Sequence, residues 1–235
     1  MYSRSARVYD ALYATFKDFA AEAEQVHALI QSRRPGARTL LDVACGTGAH
    51  LEHLAGLYEA EGLDLSPEML AVARERLPAA RLHEGDMSDF DLGRRFDAVV
   101  CLFSSIGYAL TRERLRAAVA AMARHLEPGG VLVVEPWFEP DGWRGPSGPY
   151  SLFVDEPDLK VARVNLSPEA RDTVVLEMHH VIGTPEGVES FVERHELGMF
   201  TREDYLESFR AAGLEPEHDP EGLMGRGLYL AVRGA

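Results

Sequence analysis

The sequence predicts a doubly wound α/β fold: a mostly parallel sheet covered by helices on both faces, with one antiparallel β-meander inserted in it. Three observations point there. Up to Trp137, short apolar runs alternate with stretches of helical period, the rhythm of parallel strands joined by crossover helices. Between 138 and 199 that rhythm gives way to two-residue alternation split by turn signals, the pattern of half-buried antiparallel strands. From 200 onward a helix and a last apolar run resume the first pattern. The frame is therefore 1–137 together with 200–235, and 138–199 is the insert.

The elements follow in order. In AAEAEQVHALIQSRR, residues Ala21, Val26, Leu29 and Ile30 recur at helical spacing, and Pro35-Gly36 stops the helix. TLLDVACGTG is a short apolar strand running into a glycine-rich turn, and HLEHLAGLY continues as helix. EAEGLDLS is a second strand ending at Asp64, and Pro67 opens the helix PEMLAVARERL. RLHEGDM reads as the third strand and FDAVVCLFSSIG as the fourth. RERLRAAVAAMARHL is an amphipathic helix closed by Glu127-Pro128-Gly129-Gly130, and VLVVEPW is the fifth strand. PDGWRGPSGPY reads as a long loop. LKVARVNL, TVVLEMHHVIG and VESFVERHELGMF form the meander, separated at Ser167-Pro168 and Pro185-Glu186-Gly187. TREDYLESFRAAGL returns to helix with Thr201 and Asp204 as its cap pair, and GLYLAVRG is the final strand.

Composition narrows the function. The chain has 235 residues, enough to bury a core without disulfide or metal staples. Asp and Glu outnumber Lys and Arg by 38 to 24, a net charge of −14 that repels nucleic-acid backbones and anionic membranes. A small anionic ligand held by a few local arginines remains compatible with that surface. No apolar run reaches membrane-spanning length, and the first residues lack the apolar core of a secretory signal. Cys45 and Cys101 each end an apolar run, as buried reduced thiols do, which reads as a cytoplasmic protein. Lys17 and Lys160 are the only lysines, and Lys17 reads as a surface or lid residue, with a contact to a phosphate as the alternative.

The chemistry is concentrated in LLDVACGTG, residues 40–48. Small residues and glycines after a buried strand let the backbone approach a ligand closely. A bare G-x-G occurs in any tight strand-to-helix turn, but here Asp64 ends the next strand, where a ribose diol is bound in a doubly wound fold. A nucleoside cofactor follows, either a dinucleotide or S-adenosylmethionine. Three details separate them. The third glycine that seats a pyrophosphate is replaced by bulky Leu51. Asp42, just before the loop, suits a cationic methionyl ammonium. Asp86, in the GDM after the third strand, can accept from an adenine amino group.

These segments resemble a known family. DVACGTG, Asp64, GDM and FDAVVCLFSSIG are similar to the motifs of class I S-adenosylmethionine-dependent methyltransferases over residues 38–137, with Ala44 where the loop usually starts with glycine. Nearly the whole chain, through YDALY, KDFAAEAEQV, FSSIGY, ARHLEPGGVLVVEPWF, EMHHV and GRGLYLAVRG, resembles the N,N-dimethyltransferases of nucleotide-linked amino sugars. The resemblance implies a Rossmann-like, seven-stranded, mostly parallel sheet with an N-terminal helical lid, and an acceptor side built by 138–199. It implies S-adenosyl-L-methionine as cofactor and the amine of a dTDP-linked 3-amino-deoxysugar as acceptor, in natural-product tailoring. It assigns Ala44, Asp64, Asp86, Met87 and Leu102 to the cofactor, with Asp42, Gly46, Gly48, Leu65 and Met69 as further cofactor candidates. It places Tyr13 near the methyl-transfer site and Trp137, Arg163 and Arg226 near the nucleotide sugar; Ser104, Glu135 and His179 are further candidates for the acceptor, and Tyr108 is a second candidate beside the reacting amine. Those relatives tend to carry His where this chain has Tyr108, and the 138–150 loop diverges, so the particular sugar stays open.

The residues themselves leave other roles open. Glu135 follows the fifth strand at the carboxyl edge of the sheet, where it meets either the acceptor or a nearby arginine. Arg226, between Gly225 and Gly227, is either a diphosphate clamp or a turn arginine. His179 and His180 point to opposite faces of one strand, so they are not a metal pair. His50 and His53 lack a Cys or carboxylate ligand pattern and read as helix surface; no metal is called for. A methyltransferase for another small-molecule amine or hydroxyl, a nicotinamide oxidoreductase and a non-catalytic cofactor-binding protein are the alternatives. The outer strand of the meander needs cover, which a homodimer would supply.

Overall fold

The computed structural model describes residues 4–143, 149–167 and 172–234. Two helices lead the chain, α1 (Ala6–Tyr13) and α2 (Phe19–Arg33). The Asp18 side chain accepts from the Ala21 amide at 3.0 Å and so caps α2. The frame then alternates through β1 (Thr39–Val43), α3 (Ala49–Ala55), β2 (Glu59–Asp64), α4 (Pro67–Arg76), β3 (Arg81–Glu84) and β4 (Phe96–Cys101). A 3-10 turn (Ser105–Ala109), α5 (Arg112–Arg124) and β5 (Leu126–Val134) follow. After the insert, α6 (Arg202–Ala211) begins at a Thr201–Asp204 capping box and leads to the last two strands of the frame.

The insert consists of β6 (Tyr150–Asp155), β7 (Lys160–Leu166), β8 (Thr173–Thr184) and β9 (Gly187–Gly198); β10 (Glu215–Asp219) and β11 (Leu228–Val232) close the chain. The central sheet has seven strands in the order β10-β11-β5-β4-β1-β2-β3, with β11 antiparallel to both neighbours and the other strands running one way. Its central strands β1, β4, β5 and β11 are buried on both faces, as a helix-covered sheet requires, and the chain's winding reverses between β1 and β4. Open α/β sheets bind ligands at that reversal, outside the carboxyl ends of the strands.

The insert is a separate four-stranded antiparallel sheet, β6-β7-β8-β9. The inward face packs Leu152, Val154, Val161, Ile182 and Phe191 onto Val8 and Leu12 of α1 and also buries Arg163, Asn165, His180, Glu193 and His195. The other face leaves Phe153, Val164, Val181 and Val192 exposed. Among the described residues, no helix is long and apolar enough to cross a membrane.

The fold departs from the sequence reading in four places. The meander has four strands, because Tyr150–Asp155 pairs with β7 where a loop was expected to run on; residues 144–148 of that loop, and Pro168 of one turn, lie outside the described residues. β10 is an acidic edge strand whose composition carries no strand signal. The fourth strand stops at Cys101, and Phe103 and Ser104 turn with positive φ, 52° and 61°. Glu127-Pro128-Gly129-Gly130 is drawn into β5, with a register break between the Phe96 and Ala98 pairings, because α5 already ends at Arg124.

Candidate active site

The carboxyl ends of β1, β2 and β4 open into one cavity of about 580 Å³. The glycine loop forms its floor. Ala44, Gly46 and Gly48 take φ values of 60°, 57° and 77°, so the turn needs three left-handed residues, one of them carrying a Cβ. The Gly46 amide donates to Asp64 Oδ2 at 2.8 Å and the Ser66 amide to Oδ1 at 2.8 Å, which fixes the acid at the end of β2 against the loop. Gly48 caps α3 behind the wall and touches no cavity surface; a Cβ there would meet Leu77 at 3.2 Å.

Asp42 is 2% exposed and lines the cavity. Burial, reinforced by the Asp64 charge, pushes its pKa up to about 8, and no cation among the described residues compensates it. An acid in this position is complementary to a ligand ammonium. Burial also raises Asp64. Asp86 lies at the far end with Met87. Burial there is outweighed by Arg114, whose Nη2 donates at 2.7 and 3.0 Å, and by Ser88, so Asp86 stays below the usual carboxylate range. Leu65, Met69 and Leu102 complete this half of the wall. Helix α1 closes over the loop: Thr47 Oγ1 donates to Asp10 at 2.6 Å, and Arg76 of α4 donates to the same carboxylate at 2.5 Å.

The other half is aromatic and cationic. Tyr13 stands edge-on to Phe103 at 4.9 Å and accepts from Arg163 Nη1 at 3.1 Å. Arg226 donates to Ser104 Oγ at 2.9 Å, and its guanidinium lies 5.0 Å from the Trp137 and Phe138 rings. Tyr108 shares a 2.9 Å hydrogen bond with His195 Nδ1. Arg163 Nε, Asn165 Oδ1 and the indole nitrogens of Trp137 and Trp143 are buried without partners among the described residues, and all four residues line this half. Buried polar atoms left unpaired are costly, so this wall is built for a polar ligand.

Most of the expected site converges here, and, besides Gly48, four expectations need correction. His179 is exposed and pairs with Glu177 at 2.9 Å on the outer face; strand alternation turns His180 inward instead, stacked on Phe191. Glu135 is fully buried behind the wall, where its Oε2 accepts from the Phe103 amide at 2.6 Å and stabilises the left-handed turn. Lys17 is buried: its Nζ donates to both Glu22 oxygens at 2.7 Å and lies 3.9 Å from the Phe103 ring centre. His50 is buried too, 2.8 Å from Glu22, because α2 packs over that side of α3. Asn165, Trp143 and His195 escaped the sequence reading, since each is an ordinary alternation or loop residue until the insert folds over the cavity.

A nucleotide-type cavity at the winding reversal, with acids at the ends of β1 and β2, defines a class I S-adenosylmethionine-dependent methyltransferase. A family profile described as "Methyltransferase domain" matches residues 40–130. Two curated relatives are similar over nearly their whole length. The dTDP-3-amino-3,4,6-trideoxy-alpha-D-glucopyranose N,N-dimethyltransferase of Streptomyces venezuelae is 47% identical, over 97% of each chain. The dTDP-3-amino-3,6-dideoxy-alpha-D-glucopyranose N,N-dimethyltransferase of Streptomyces fradiae is 44% identical, over 98% of this chain and 91% of the relative. Among solved structures, DesVI of Streptomyces venezuelae superposes with a TM-score of 0.92 at 46% identity, covering 97% and 98% of the two chains. CalS10 of Micromonospora echinaspora, solved with S-adenosylmethionine bound and described as an amino pentose methyltransferase, superposes at 0.87, again at 46% identity, over 96% of each chain. The chain belongs to this family of sugar N,N-dimethyltransferases.

Proposed function

We propose that the protein transfers methyl groups from S-adenosylmethionine to the amine of a dTDP-linked 3-amino-deoxysugar. The observation that carries the reading is the division of one cavity into an acidic half and a half lined by Arg163, Arg226 and aromatic rings. The uncompensated Asp42 carboxylate fits a methionyl ammonium, and the glycine loop leaves room for a nucleoside beside Asp64. Bound there, S-adenosylmethionine supplies an electrophilic methyl on a positively charged sulfur. Asp64 accepts from the ribose hydroxyls and Asp86 from the adenine amine, while Leu65, Met69, Met87 and Leu102 enclose the base. Arg163 and Arg226 take the diphosphate, for which planar guanidinium forks are suited. Trp137 and Ser104 border the sugar, and Tyr13 and Tyr108 flank the amine. The protein's task is to hold the amine nitrogen in line with the methyl at ~3–3.5 Å, with water excluded.

Two further features belong to this reading. The curated relatives act on nucleotide sugars, which fits a chain whose charge of −14 disfavours nucleic acid. The outer face of the insert, with Phe153, Val164, Val181 and Val192 exposed, is covered by a second copy in a homodimer; light scattering giving a monomer mass would reject that. Free, buried Cys45 and Cys101 suit a reducing cytoplasm. Incubation with S-adenosylmethionine and dTDP-3-amino-3,6-dideoxyglucose, followed by mass spectrometry, tests the reaction. Products heavier by one and then two methyl groups are expected. No product, despite a thermal shift with S-adenosylhomocysteine, would reject this acceptor.

A further inference from the structure

Both tryptophans of the chain, Trp137 and Trp143, line the acceptor half of the cavity. Their indole nitrogens are buried and meet no acceptor among the described residues. The two rings lie 5.7 Å apart, tilted by 36°, and Phe138 packs on them at 5.0 and 5.2 Å. Leu176, Met178 and Leu197 of the insert and the ring of Tyr108 join the same cluster. The packing is tight: a Cβ on Gly107 of the 3-10 turn would stand 3.3 Å from Trp137 and 3.0 Å from Leu197. Trp143 is also held through its backbone, whose amide donates to the Glu139 carbonyl at 3.0 Å. An indole nitrogen only donates, so each N–H awaits an acceptor atom, and in this apolar surround a ligand has to bring it.

We propose that Trp137 and Trp143 read the hydroxyl on C4 of the acceptor sugar, next to the reacting amine, and so select 4-hydroxylated sugars over their 4-deoxy counterparts. This rests on the sugar N-methyltransferase reading of the cavity. Trp143 is the specificity-determining residue that it adds to the site.

The chemistry of the sugar singles out that hydroxyl. In a dTDP-linked 3-amino-3,6-dideoxy sugar, C1 carries the diphosphate and C3 the amine. The C2 hydroxyl lies between those two polar substituents, whereas the C4 hydroxyl lies between the amine and C5, which carries a methyl group. Two N–H donors set among Leu176, Met178, Leu197 and aromatic rings match a hydroxyl with an apolar neighbour. The diphosphate has the guanidinium groups of Arg163 and Arg226 as its partners. A hydroxyl oxygen has two lone pairs, one for each indole. A 4-deoxy sugar brings a methylene to the same place and leaves both N–H groups buried and unpaired. A site of this kind rejects the analogue that lacks the hydroxyl, where a purely apolar pocket separates the two only weakly.

The test measures kcat/KM for dTDP-3-amino-3,6-dideoxyglucose and for dTDP-3-amino-3,4,6-trideoxyglucose, in wild type and in Trp143→Phe. Wild type is expected to prefer the hydroxylated sugar at least ~10-fold. Trp143→Phe, which keeps a ring and loses the N–H, is expected to cut that preference at least ~5-fold while using the trideoxy sugar within ~3-fold of wild type. Equal use of both sugars by wild type, or an equal loss on both in the variant, would overturn the proposal, because an indole bonded to the diphosphate or the ring oxygen does not tell them apart. With two tryptophans in the chain, a proton–nitrogen NMR spectrum holds two indole signals, and that of Trp143 is the one missing from the variant. With S-adenosylhomocysteine present, the hydroxylated sugar is expected to move the Trp143 signal downfield of its position with dTDP alone, and the trideoxy sugar to leave it there. A signal unmoved by the hydroxylated sugar overturns the proposal. If neither sugar is methylated, the substrate reading fails, and the spectra still decide whether the indoles take the hydroxyl.

Discussion

Asp42 ties cofactor binding to stability in opposite directions, and the conflict can be measured. Its carboxyl is pushed from 3.8 to about 8 by burial first and by the Asp64 charge second. A group raised on folding costs nothing below its unfolded pKa and costs progressively more as pH rises toward its folded value. At pH 7 the span above 3.8 is about three pH units, or about 4 kcal/mol of stability forgone in the ligand-free protein. Asp42→Asn removes that cost and leaves a buried amide with unmet hydrogen bonds, which returns roughly half of it. The remaining ~2 kcal/mol corresponds to a rise in Tm of ~4–8 °C for a chain of this size. Binding behaves inversely. A cationic amine selects the ionised carboxylate, so wild-type affinity for S-adenosylhomocysteine should rise about tenfold between pH 6 and 7 and level off above 8. In Asp42→Asn the affinity is weaker and flat over that range. Thermal melts with and without S-adenosylhomocysteine, from pH 5.5 to 8.5, read both effects. A destabilised Asn variant that binds with the wild-type pH slope would refute the reasoning, since Asp42 would then be a structural acid.

Three other perturbations follow from the same geometry. Ala44 holds φ 60°, so Ala44→Gly relieves left-handed strain and should stabilise the protein by about 1 kcal/mol in a denaturant titration; a loss of stability would mean the turn is relaxed with its Cβ. Glu22→Ala strands the buried Lys17 ammonium and should cost ~3–5 kcal/mol by urea unfolding, whereas a cost under about 1 kcal/mol would show that the pair is not buried as described. Arg226→Met should abolish thermal protection by dTDP while leaving that by S-adenosylhomocysteine intact, and loss of both would place Arg226 in folding rather than acceptor binding.

The cofactor half of the site was legible in the chain because its parts are local. Asp42, Ala44 and Gly46 lie in one strand-turn-helix, and Asp64 and Asp86 end the next two strands, so parallel strand pairing alone brings the acids to one edge. The acceptor half was legible only as a list of residues. His179 and His180 are neighbours whose roles are set by which face of β8 packs inward, and pattern alone does not say which face covers the cavity. β10 went unread because an edge strand facing water needs no apolar residues. Lys17 and His50 looked like surface because each is charged or polar; only the packing of α2 on α3 buries them together, both against Glu22.

The sequence by itself determined the α/β frame, the glycine loop and the acids that go with it, since hydrophobic period and turn chemistry are properties of contiguous residues. Tertiary structure decided the rest. Arg163 reaches Tyr13 across 150 positions, His195 reaches Tyr108 across 87, and Arg226 reaches Ser104 across 122. Such contacts exist only once the insert and the final strands have closed over the sheet, because the distances between those side chains are set by packing and not by spacing along the chain.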